Sequence, residues 1–145
     1  MKLFPRERSR RDFAPCIDGT LREHAFSSSS VQMRFARRWL STILCVCGIR
    51  QPAIQDALIA SGEALANSVE HAYHGDRRGE VQIRCYCCTT HGTILIEVGD
   101  NGSMQHHDEP TQNRGFGFTL MRAIAQDVNV LSGGGTVVTL LLDIA

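Results

Sequence analysis

Glu63 and Asn67 stand four residues apart in Glu-Ala-Leu-Ala-Asn-Ser-Val-Glu-His-Ala-Tyr, residues 63–73. On a helix that spacing makes the two side chains neighbours. An Asn amide oxygen is a hard ligand suited to Mg²⁺, and a carboxylate beside it can take a proton. Alone, the pair is equally at home on a solvated helix face. Asp100-Asn101-Gly102 follows the apolar, β-branched run Thr93-Ile94-Leu95-Ile96-Glu97-Val98, so Asp100 is expected where a strand gives way to a loop. A carboxylate fixed there can accept a hydrogen bond from an exocyclic amine such as that of adenine. The plainer alternative is an Asn-Gly hairpin turn, but the polar stretch 103–113 that follows is no strand and reads as a loop.

Two glycine clusters lie further on. Asn113-Arg114-Gly115-Phe116-Gly117-Phe118 precedes an amphipathic run over 119–127. Glycines ahead of a helix let backbone N–H groups approach phosphates, where Arg114 is also placed to meet one or to remain a solvated loop charge. The pattern is neither a Walker loop, with no Gly-Lys-Ser/Thr after it, nor a dinucleotide fingerprint. Gly133-Gly134-Gly135-Thr136 predicts a turn between strands 128–131 and 137–142, with Thr136 also available to face a base.

These groups need a frame. Ile54, Leu58, Ser61, Leu65, Val69 and Ala72 recur three or four apart, an apolar stripe suited to packing on a sheet. Pro52 fits its first turn. Glu63, Asn67 and Glu70 fall roughly 140° around from Leu58, at about 100° per residue, on a face of their own. Gly62 interrupts this helix where Ala would be favoured by about 1 kcal/mol. Upstream, 20–26 predicts an edge strand, serines 27–30 offer an N-cap, and 31–47 carries Phe35, Trp39, Leu40, Ile43 and Leu44 at helical spacing. Residues 81–88 and 93–98 predict a hairpin around His91-Gly92. The expected fold is a two-layer α/β sandwich, with helices on one face of a mixed, mostly antiparallel sheet.

The chain has 145 residues, and its 15 Lys+Arg balance 15 Asp+Glu. That length fits one domain with a real core, and the balance gives no ground for a nucleic-acid surface. Lys2, Arg6, Arg8, Arg10 and Arg11 crowd the start, so residues 1–18 are expected to be a basic, disordered tail before a domain over 19–145. No run approaches the length of a membrane helix and no signal peptide is visible, which predicts a cytoplasmic protein. Of six cysteines, Cys45 and Cys47 lie on a helical pattern and Cys85, Cys87 and Cys88 on a strand. Alternation separates Cys88 from the other two, and all are read as small core residues rather than metal or redox groups. His106, His107 and Asp108 read as loop residues.

In order and spacing, "EALANSVEHAY", "VGDNG", "RGFGFTLMRAIAQDV" and "GGGTVVTLLL" resemble the GHKL ATPases, which include histidine kinases, gyrase and heat-shock-protein ATPase domains. The likeness is greatest to the anti-sigma-factor serine kinases and spans roughly residues 20–144. It implies ATP and Mg²⁺ as cofactors, Glu63 as the general base toward a protein serine, Asn67 as the Mg²⁺ ligand and Asp100 as the adenine reader. It further implies Gly102, Gly115 and Gly117 as the nucleotide's backbone cradle and Thr136 beside adenine. The activity implied is transfer of phosphate to an anti-anti-sigma factor and sequestration of a sigma factor by a homodimer, with no direct contact to nucleic acid or membrane. The chain departs from the family's D-x-G-x-G pattern at Met104, which keeps open a second reading, a nucleotide-regulated module that only sequesters its partner.

Overall fold

The computed structural model describes residues 20–72, 79–88, 92–100, 112–132 and 135–143. In chain order these form β1 (Thr20–Ser27), α1 (Ser30–Val46), α2 (Gln51–Ala72), β2 (Glu80–Cys88), β3 (Thr93–Asp100), α3 (Gln112–Ile124), β4 (Asp127–Ser132) and β5 (Thr136–Asp143). The five strands lie in the order β1-β2-β3-β5-β4. Each neighbouring pair is antiparallel, and β1 is an edge strand as its sequence predicts. Val81, Ile83, Cys85, Ile94, Ile96, Val98, Val138, Leu140 and Leu142 alternate onto one face and form a single core with Leu40, Leu44, Ile54, Leu65 and Met121 of the helices. The two-layer sandwich is thereby realised.

Local chemistry sets the helix ends. The Ser29 hydroxyl accepts a hydrogen bond from the Gln32 N–H at 3.1 Å, the expected N-cap of α1. At the other end Gly48 adopts φ +80°, its N–H donates to Cys45 C=O, and the Ile49 N–H donates to Leu44 C=O, each at 3.0 Å. This doubly bonded, left-handed cap ends the helix and drops Ile49 into the core. The chain then turns directly into α2. Ser28, fully buried, fastens the sheet near its start: its N–H donates to Gly79 C=O and its hydroxyl accepts from the Gly79 N–H.

Three elements differ from their sequence expectation. α3 begins at Gln112, not 119, so Arg114, Gly115 and Gly117 lie within a helix rather than ahead of it. Glycine's low helix propensity hides this start, and packing against α2 overrides it. The same helix stops at Ile124 instead of 127 because Gln126 N–H donates to Leu141 C=O of β5 at 2.7 Å, which commits the chain to the sheet. In α1 the buried stripe is Ala36, Leu40 and Leu44 with Met33, Trp39 and Ile43 packed beside it, whereas Phe35 is 53% exposed. Ala36, not Phe35, faces the sheet because helix phase, not side-chain size, decides which residue points inward.

α2 is buried over a wider face than its apolar stripe. Ile54, Ser61 and Leu65 are buried as expected, but so are Ala57, Ala60, Ala64 and Ser68. Small side chains give no strong periodic signal, yet here they let the helix lie close to its neighbours on both sides and to β3. Gly62 has no such excuse. A Cβ there would lie 3.8 Å from the guanidinium of Arg37, an ordinary contact, so space does not explain the glycine.

Candidate active site

The candidate residues fall in two groups, one where α2 and α3 pack together and one at the Asp100 end of the sheet. α2 is long and buried along its small-residue face, so Glu63 and Asn67 are held on rigid backbone, each half-buried. α3 lies against them. A Cβ at Gly117 would come within 3.2 Å of Glu63 Oε2 and 3.7 Å of Asn67 Nδ2. A side chain there would require the Glu63 carboxylate to give by a few tenths of an ångström, so the glycine allows α3 to approach α2 closely with Glu63 left in place. Gly117, read in a separate motif of the sequence, thereby joins the Glu63 and Asn67 pair in one cluster.

Asp100 is the last residue of β3, two positions beyond the expected strand end. It is 1% exposed. Across the ladder its Cα partners are Val81 on β2 and Thr136 on β5, and Thr136 is buried with it. Alternation puts both side chains on the helix-bearing face, continuing the rows of Ile96 and Val98 and of Leu140 and Val138. An otherwise apolar sheet face therefore ends in a buried carboxylate beside a hydroxyl. Burying an acid is costly unless polar groups meet it, so a carboxylate at this depth makes Asp100 a candidate site residue.

Arg114 and Gly115 lie in the first turn of α3, whose N-terminus brings backbone N–H groups and a favourable partial charge for anions. Gly102 and Met104 lie outside the described residues. Glu70, the third residue of the polar row on α2, is exposed and stands apart from the cluster. In the sequence a threonine, a residue type that favours helix N-caps, immediately precedes Gln112.

The donor set fits a magnesium nucleotide. Asn67 offers an amide oxygen, Glu63 a carboxylate, α3 its N-terminal amides, and Asp100 with Thr136 an acceptor and a hydroxyl at hydrogen-bonding depth for a base. Among the described residues no group of three or more His, Cys, Asp or Glu is arranged to hold a metal by itself.

A sandwich of three helices on an antiparallel sheet, with this polar end, defines a nucleotide-binding ATPase fold. The chain belongs to the histidine kinase-like ATPase domain family, whose profile matches residues 26–142. It is 28% identical to the serine-protein kinase RsbW of Oceanobacillus iheyensis over 116 residues, 71% of this chain and 73% of that protein. With the serine-protein kinase RsbW of Bacillus subtilis it shares 29% over 119 residues, 72% and 73% of the two chains. Over a shorter stretch of 64 residues, 44% of this chain and 40% of the other, it is 36% identical to the serine-protein kinase RsbW of Listeria innocua. The solved structure of RsbU and RsbW domains from a Mycobacterium tuberculosis protein superposes with a TM-score of 0.68 at 22% identity. That match covers 86% of this chain but only 32% of the other, and it establishes the fold alone.

Proposed function

We propose that the protein is an ATP-dependent serine-protein kinase and anti-sigma factor, which phosphorylates an anti-anti-sigma partner and sequesters a sigma factor. The carrying observation is the contact of Gly117 with Glu63 and Asn67, which gathers a base, a metal ligand and a helix N-terminal region in one place. Relatives named as serine-protein kinases support the reaction type. The domain occupies residues 19–145, with a basic tail over 1–18.

Bound ATP with Mg²⁺ supplies the phosphoryl group and neutralises the charge that develops as it moves. Asn67 holds the cation. Glu63, next to it, accepts the proton from the incoming serine hydroxyl, a weak nucleophile until that proton has somewhere to go. Asp100 accepts from the adenine amine, and Thr136 lies beside the base. Gly102, Gly115 and Gly117 form the backbone cradle, while Arg114 meets phosphate at the start of α3. Because the helices shield this end of the sheet, each polar contact counts for more than it would in water.

The partner surface is read from α1 and β1. Val31 and Phe35, four apart on one side of α1, are 59% and 53% exposed, and Leu21 of the edge strand is 42% exposed. An edge strand with no further strand beside it among the described residues, near exposed apolar side chains, supports a homodimer through this side. Light scattering at micromolar concentration is expected to give twice the monomer mass, and a monomer with and without ATP would refute it. A cytoplasmic location agrees with the absence, among the described residues, of any helix long and apolar enough to cross a membrane. The balanced charge gives no sign of direct nucleic-acid binding.

The test of function is transfer from γ-labelled ATP to purified candidate partners. Label on a partner serine, dependent on Mg²⁺, is the expected result. A partner that binds tightly yet never acquires label would instead favour the module that only sequesters.

A further inference from the structure

Two serines lie on the sheet-facing side of α2, in phase with Ile54 and Leu65, and the chemistry above uses neither. Ser61 is 0% exposed and Ser68 2%. A hydroxyl buried within a helix can bond the carbonyl one turn back, as Thr42 does on α1 by donating to Arg38 C=O at 2.9 Å. Neither serine has a hydrogen-bond partner among the described residues. Buried polar groups are rarely left in that state, because nothing replaces the water they give up. Ser61 lies in the middle of the helix, whereas Ser68 directly follows Asn67.

Where Ser68 falls along the sheet follows from the path of α2. α1 ends at Cys47, whose thiol is hydrogen-bonded with Cys87, and Cys87 pairs with Ile94 at the end of β3 away from Asp100. α2 begins at Gln51, just beyond that cap. Its inner side stays buried from Ile54 to Ser68, packed on β3 and β5, so the helix runs along the sheet toward Asp100. Ile94 to Asp100 is about 20 Å of strand at about 3.3 Å per residue. Gln51 to Ser68 is about 25 Å of helix at about 1.5 Å per residue. The turn that carries Ser68 thus reaches the row in which Asp100 stands opposite Thr136.

We propose that the Ser68 hydroxyl is the third polar group of a purine site with Asp100 and Thr136, donating to a ring nitrogen that flanks the exocyclic amine. This rests on the proposed nucleotide binding and joins its two groups of residues. Successive helix residues point about 100° apart, so with Asn67 beside Gly117 of α3, Ser68 is turned to the sheet. One turn of α2 then serves the cation with one residue and the base with the next. The helix-facing side chains in the rows around Asp100 and Thr136 are Val81, Val98 and Val138. Valines with a few convergent polar groups suit a ligand that is apolar on its flat faces and polar along its edge, as a purine is. Asp100 alone separates adenine from guanine, whose 6-oxygen it repels. Ser68 adds a contact to the ring itself, at N1 or N7.

Calorimetry of the full chain with ATP and Mg²⁺ tests this without requiring turnover. Ser68→Ala is expected to weaken ATP binding roughly 3- to 10-fold, the contribution of one neutral hydrogen bond. In the wild type either 1-deaza-ATP or 7-deaza-ATP should bind more weakly than ATP by a similar factor, and Ser68→Ala should bind that analogue and ATP alike. Ser61→Ala, equally buried about two turns earlier, should leave ATP affinity unchanged, and circular dichroism checks that both variants are folded. Wild-type affinity in Ser68→Ala, an equal loss in Ser61→Ala, or analogue discrimination that survives in Ser68→Ala would overturn the assignment of Ser68 and leave the nucleotide site standing. No binding of ATP by the folded wild type would overturn the nucleotide site and Ser68 with it.

Discussion

The two ends of the sheet's helix-bearing face are built from the same strands and do opposite work. At one end β3 finishes on Asp100 opposite Thr136, where β5 begins, and Glu63, Asn67 and Gly117 gather where α2 and α3 meet. At the other end, β2 presents Cys85 and Cys87, whose sulfurs are 3.9 Å apart, toward Cys47 at the cap of α1. Ile94 pairs with Cys87 and Leu142 there. Both ends are buried, but the first is filled by groups that water would solvate well and the second by groups that it would not. The second end, built of apolar and sulfur side chains, carries little of the desolvation cost that polar groups bring to the first.

The thiols show this in their acidity. Burial, then the hydrogen bond and proximity of Cys87, push Cys47 from 9.0 up to about 11. The bond with Cys85, followed by burial, raises Cys87 further still. These are not nucleophiles. A thiolate is what reacts, and this environment suppresses it.

The contrast is broken most sharply by Glu63→Gln. The variant keeps size and hydrogen bonding but loses the base, so phosphoryl transfer should fall by roughly 10²–10⁴-fold while ATP binding and thermal stability stay near wild type. Equal labelling of a cognate partner by both proteins would remove Glu63 from that role. At the other end the expectation reverses. Ile94→Ala, in a position with no exposure, should cost about 2–5 kcal/mol of unfolding free energy in urea titrations, with transfer by the remaining folded protein largely kept. Loss of activity without loss of stability would mean that the two ends are coupled.

Asp100→Asn sharpens the polar end alone. Its carboxylate is expected to be the acceptor that reads the adenine amine, and hydrogen bonds to charged groups contribute about 1.5–3 kcal/mol, so ATP affinity by calorimetry should drop roughly 10- to 100-fold. An unchanged affinity would place adenine elsewhere. The smallest effect concerns alkaline pH. Cys47 has a folded pKa raised from 9.0 to about 11, so the unfolded chain releases its proton first as pH rises. The stability that this thiol contributes is complete below pH 9, declines through the interval and is gone above about 11. The melting temperature should therefore fall over that range, and Cys47→Ala should flatten part of the slope. An unaltered slope in the variant would assign the effect to other groups.

The candidate residues were legible because each sits at a fixed offset within one short segment. Glu63 and Asn67 are four apart on a helix whose apolar stripe is plain, Asp100 ends an unmistakable strand, and Thr136 follows a glycine turn. The hairpin of β2 and β3, the edge position of β1 and the serine cap of α1 were legible for the same reason, since alternation and capping are local properties. The start of α3 was not. Gly115 and Gly117 lower helix propensity in any window that contains them, and only the neighbouring α2 makes a helix there worthwhile.

By itself, then, the sequence determined which groups are available for chemistry and which periodicity each segment follows, because both depend on residues within a few positions of one another. The tertiary structure alone decided that Gly117 abuts Glu63 and Asn67, that Thr136 stands opposite Asp100, and that Ala36 rather than Phe35 faces the core. Those outcomes join residues dozens of positions apart, and they are set by helix phase, strand register and close packing, which are properties of the assembled layers and not of any one segment.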